Sequence, residues 1–117
     1  MTAALRLLAL PFAFLPAIAL AADEPVAADG TPLQDIQCAA WAAYMVSEND
    51  DPQAATAFGY AMTFFIGMYE GKTGRDFAEA MLVEAKKFEA DEALREAIQR
   101  VCLPRMQDIG DRMANFG

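Results

Sequence analysis

The chain has 117 residues, of which 56% are hydrophobic, and carries 17 Asp+Glu against 9 Lys+Arg with no histidine, a formal net charge of −8 at pH 7. The acidic balance argues against nucleic-acid binding, which rests on basic contacts to phosphate. The missing histidine removes the commonest general base and the commonest metal ligand. The length suits a single domain with a small core.

The chain opens Met1-Thr2-Ala3-Ala4-Leu5-Arg6. From Leu7 to Leu20 there is no charged residue, and the run closes on Ala19-Leu20-Ala21. A basic start, an apolar middle and a small-x-small end predict a secretory signal peptide over residues 1–21, cut after Ala21 or, as second choice, after Ala22. The apolar run is shorter than the roughly 20 residues a spanning helix needs. Pro11 and Pro16 also interrupt it. No stable membrane span is expected after cleavage. Arg6 is the single charged residue of that segment, so the mature chain carries −9. The expected location is the periplasm, with secretion as second choice.

Residues 22–31 contain Pro and Gly and no periodicity, which predicts a flexible tail ahead of one helical domain over 32–117. Thr31-Pro32-Leu33-Gln34 reads as a T-x-x-Q capping box with Pro at the first helical position. From there Leu33, Ile36, Ala40 and Tyr44 form one apolar stripe and Cys38, Trp41 and Met45 an adjoining one, to a stop near Ser47. Asp51-Pro52 starts a second helix running to about Gly71. It is apolar on most faces. Ala55, Gly59, Thr63, Gly67 and Gly71 recur every four residues, a groove that would let another helix approach closely. This reading makes the second helix the centre of the fold. Its bulky residues exceed what one core face uses, so Tyr60 or Phe64 is expected on the surface as a partner contact.

Asp76 with Glu79 predicts a D-x-x-E start for a third helix ending near Phe88 or Glu89. Its apolar side is Phe77, Met81, Leu82, Ala85 and Phe88, and its wet side includes Glu79, Glu84, Lys86 and Lys87. Asp91 caps a fourth, in which Leu94, Ile98, Val101, Met106, Ile109 and Met113 hold one phase. Pro104 interrupts that run and predicts a kink or a short restart, hence four helices or five. No segment alternates like a strand. The fold class is therefore all-α, a small helical bundle.

The two cysteines, Cys38 and Cys102, both fall in the mature region. An even count in an exported chain predicts an intramolecular disulfide, worth roughly 4 kcal/mol for a loop of this length in the chain-entropy picture. Two free buried thiols or an intermolecular bridge are the alternatives. Such a bond would pin the first helix to the last.

The sequence carries little that could do chemistry. Gly71-Lys72-Thr73 lacks the earlier glycine and the strand-to-helix setting of a phosphate loop. Glu48, Asp50 and Asp51 lack the calcium-loop pattern and read as a solvated acidic turn. With no catalytic, cofactor or metal residues to name, the expectation is a non-enzymatic protein without cofactors.

Cys38-Ala39-Ala40-Trp41, Gly59-Tyr60, the run Phe64-Phe65-Ile66-Gly67-Met68-Tyr69-Glu70-Gly71, Val101-Cys102 and Ile109-Gly110 together resemble a group of small exported bacterial proteins of unknown function, over about residues 35–115. Cys38, Cys102 and the helical content are similar to the HdeA acid-stress chaperones. That resemblance implies a periplasmic, usually dimeric protein acting on unfolded clients. Phe64-Phe65-Ile66-Gly67 and Cys102-Leu103-Pro104 are similar to the Tai-type immunity proteins. That resemblance implies an inhibitor of a periplasmic toxin. The expected partner is a protein, a client or a second copy of the chain.

Overall fold

The computed structural model describes residues 26–116. The expected leader at 1–21 lies outside them, as do residues 22–25. Four helices follow in order: α1 (Pro32–Glu48), α2 (Pro52–Thr73), α3 (Ala78–Glu89) and α4 (Glu92–Ala114), with no strand among the described residues. The fold is all-α.

The helix ends follow from local chemistry. Thr31 Oγ1 accepts the Gln34 N–H at 3.2 Å, and Pro32 occupies the first turn. The Gln34 side chain accepts from Gly30 N–H at 2.9 Å, one residue earlier than a capping box requires, because Thr31 N–H is already turned onto the Ala28 carbonyl. Asp51 Oδ1 accepts the Gln53 N–H and starts α2. That helix passes Gly71 and ends two residues later. Gly74 then takes a left-handed φ of 69° and donates its N–H to the Glu70 carbonyl at 2.8 Å, a conformation glycine adopts without steric cost.

The expected D-x-x-E start of α3 is not made. Asp76 accepts from Ala78 N–H, and Glu70 of the preceding helix accepts from Phe77 N–H at 3.1 Å. A tertiary partner thus takes over the role of the local cap. Asp91 Oδ1 accepts the Leu94 N–H and starts α4 as its sequence predicts. α4 then runs through Pro104 without a restart, so the bundle has four helices and not five.

The packing corrects one expectation of the sequence. The central helix is α1, not α2. α1 meets each of the other three helices, and α3 also meets α4. Every residue from Gln34 to Ala42 is buried, whereas in α2 only Ala61 and Phe65 are. The small side chains of Ala39, Ala40 and Ala42 let neighbours close around α1 on all sides. Around it sit Ala61 and Phe65 from α2, Phe88 from α3, and Ile98 and Cys102 from α4. Trp41 meets Phe58 edge-on at 5.5 Å between ring centroids and donates its indole N–H to Gln99 Oε1. Tyr44 meets Phe88 edge-on and lies beneath the Arg95 guanidinium at 4.6 Å.

Cys38 and Cys102 are disulfide-bonded with Cα atoms 5.3 Å apart, which fastens α1 to α4 across 64 positions of chain. Other side chains depart from their expected sides. Leu33, Leu82 and Met113 are exposed, whereas Glu84, expected to be wet, is buried.

The described part of the expected tail makes contacts with the helices. Val26 packs against the core, and Ala27 N–H donates to Gln37 Oε1 at 3.0 Å. Lys72 Nζ holds the Gly30 carbonyl at 3.0 Å. Residues 26–31 are therefore fastened to α1 and α2 rather than free.

Candidate functional site

Two features stand out once the helices are placed: a charge cluster inside and an uncharged face outside. The cluster is built on Asp35, which α1 carries in its first turn with no exposed surface. A lone buried carboxylate is costly, and two cations compensate it. Arg105 Nη2 reaches Asp35 Oδ1 and Lys72 Nζ reaches Asp35 Oδ2, each at 2.7 Å. The Arg105 side chain is 19% exposed and that of Lys72 36%.

Arg105 also donates to Gln34 Oε1 at 3.0 Å and lies 5.1 Å from the centroid of the Phe65 ring. Lys72 completes its set on the Gly30 carbonyl. A second polar chain runs from Gln37 Nε2 to Glu84 Oε1 at 3.1 Å and from Glu84 Oε2 to Lys87 at 2.9 Å. No buried side-chain N or O among the described residues lacks a partner. The cluster is thus a clasp that joins all four helices and the leading segment. It offers no unsatisfied group to a substrate, and Lys72 of the Gly71-Lys72-Thr73 run is committed to it.

The sequence reading missed this clasp. Asp35, Gln34 and Gln37 lie on a helix read for its apolar stripes. Their signal was available only as polar residues interleaved between those stripes, at positions that a helix enclosed on all sides must bury.

The outward face of α2 carries Gln53, Thr56, Ala57, Tyr60, Thr63, Phe64, Gly67 and Gly71, all exposed. Tyr60 keeps 68% of its surface exposed and Phe64 46%. From Pro52 to Tyr69 the helix has no charged residue. The line of Gly59, Thr63, Gly67 and Gly71 was expected to receive another helix of the fold. Within the chain it does not: a Cβ placed on Gly59, Gly67 or Gly71 would meet nothing within 4 Å. α2 leans on α1 through its other side, so the small residues look outward.

Two open grooves border these elements. One, of about 570 Å³, lies between α1 and α3 over Leu33, Ile36, Tyr69 and Val83, with Asp76 and Glu79 at its edge. The other, of about 390 Å³, lies beside Phe64 and Met68 against Ile109 and the Asp108–Arg112 ion pair of α4. Among the described residues no group of three or more His, Cys, Asp or Glu could hold a metal ion. Among them, too, no helix is long and apolar enough to cross a membrane.

The chain matches no protein-family model, no curated protein and no solved structure.

Proposed function

We propose that the protein is an exported, non-enzymatic interaction module that docks another polypeptide on the outward face of α2. The observation that carries this reading is the pair of exposed aromatic side chains, Tyr60 and Phe64, on a helix face without charge. A solvated helix normally turns charged and polar residues to water. An uncharged face bearing aromatics is what a docking surface requires, since Tyr and Phe are enriched where interfaces exclude water. The disulfide and the clasp hold α1 rigid behind α2, so the face is presented preformed. The inhibitor or immunity role implied by the Tai-type resemblance belongs to this reading.

Site-specific photo-crosslinking in cells tests it. A crosslinker placed at Tyr60 should yield adducts with a polypeptide, and one at Lys86 on the solvated side of α3 should not. Equal yields from both positions, or none from either, would sink the reading.

A second reading is the stress chaperone implied by the HdeA-type resemblance. It is favoured by the charge inventory: 17 acids, 9 bases and no histidine make the net charge change sign as carboxylates protonate. Its test is the pelleting of an acid-denatured client at about pH 3, below the ordinary carboxylate range. A client that pellets equally with and without the protein removes it.

Export itself predicts that the protein purified from the cell envelope begins at Ala22 or Asp23. Intact mass measurement reads this directly, and a mass retaining Met1 to Ala21 contradicts it.

A further inference from the structure

We infer that the occupant of the α2 face is a second copy of the chain, crossing antiparallel about a two-fold axis that passes between Thr63 and Phe64. This inference rests on the interaction reading above and names its partner.

Charge favours a second copy. The chain is strongly acidic, so two copies repel through most of their surface. A basic partner would be drawn by acids, and the α2 face has none from Pro52 to Tyr69. A like-charged partner needs a neutral patch, and this face supplies one.

Side-chain size favours the antiparallel crossing. A two-fold axis between positions 63 and 64 sets residue 60 of one helix opposite 67 of the other, 64 opposite 63, and 56 opposite 71. Tyr60 then meets Gly67, Phe64 meets Thr63, and Thr56 meets Gly71. Each large side chain faces a small one, and each pairing occurs twice, as a closed isologous contact requires. The space over Gly67 and Gly71 is open in the single chain, where nothing lies within 4 Å of a Cβ placed there. A parallel crossing in register would instead stack Tyr60 on Tyr60 and leave glycine facing glycine.

The helix ends favour the same orientation. Antiparallel stacking opposes the two helix dipoles. Parallel stacking would align like with like.

The oxidised protein should run in chromatography with light scattering as a species of twice the chain mass. Gly67→Leu fills the receptor for Tyr60. It should give a monomer with unchanged helical circular dichroism, because in the single chain that site is open. Tyr60→Ala should weaken the dimer by roughly tenfold or more, the cost of losing a central aromatic contact. Spin labels decide orientation. Labels at Thr63 should lie close together, and labels at Gln53 about 30 Å apart at 1.5 Å per residue; a parallel pair would bring both sets close.

A monomer up to about 100 µM, a contact too weak to be specific, overturns the inference, as do a dimer that survives Gly67→Leu and close labels at Gln53. If the monomer still yields adducts with a different protein from a crosslinker at Tyr60, the dimer fails and the interaction reading stands. A monomer without adducts overturns both.

Discussion

Asp35 shows how one buried acid can fix the arrangement of several helices. Its two carboxylate oxygens are divided between Arg105 from α4 and Lys72 from α2. Removing the acid would leave both cations partly buried with no counter-charge, and losing one member of such a group typically costs about 3–5 kcal/mol. Asp35→Ala should therefore lower stability by about that amount in urea unfolding. Arg105→Ala made in the same background should add much less than it costs alone, because the two changes remove one interaction. Additive losses would show that the clasp is not a coupled unit. The clasp was not legible in the sequence, since Asp35 and Arg105 stand far apart in the chain and neither sits in a recognisable motif. Thr31, Asp51 and Asp91 were legible as caps, because a cap acts on an N–H two or three residues away.

As helices, α1 and α2 differ in what their small residues face. Both are rich in apolar residues, and composition favours α2 as the core. α1 wins because Ala39, Ala40 and Ala42 leave room for three neighbours, while Trp41 and Ile36 fill the spaces between them. In α2 the same kind of small residue, at Gly67 and Gly71, faces solvent. Periodicity reports that a face is suited to close approach, and it cannot say whether the approaching helix belongs to the same chain.

That distinction gives a test with opposite signs. Gly67 is an exposed helix-interior glycine with open space around its Cβ position. Gly67→Ala should raise the stability of the isolated chain by about 0.5–1 kcal/mol, measured at high dilution. The same change should loosen the dimer. A loss of stability in the dilute chain would mean that Gly67 is already packed against its own fold.

For the whole molecule, the disulfide is the main covalent restraint. Breaking it with Cys38→Ala and Cys102→Ala should cost roughly 4 kcal/mol if the loop-entropy picture holds. For a domain this small the loss corresponds to a drop in Tm on the order of 20 °C. A drop of only a few degrees would mean that the clasp and the apolar core suffice without it. The pairing was readable in advance from cysteine count and expected compartment. The fastening of residues 26–31 was not, because it depends on Lys72 and Gln37 arriving from elsewhere in the fold.

The closing of α1 by α4 also sets an order of events during synthesis. The buried stretch from Gln34 to Ala42 leaves the ribosome well before Ile98, Cys102 and Arg105, which close over it. At about 5–20 residues per second the gap between them lasts seconds. Throughout that interval the most buried helix of the fold has no roof and its acid has no guanidinium. The four-helix structure can therefore form only once α4 has been made, and a nascent chain of this protein remains a substrate for whatever shields unfolded polypeptides until that helix emerges.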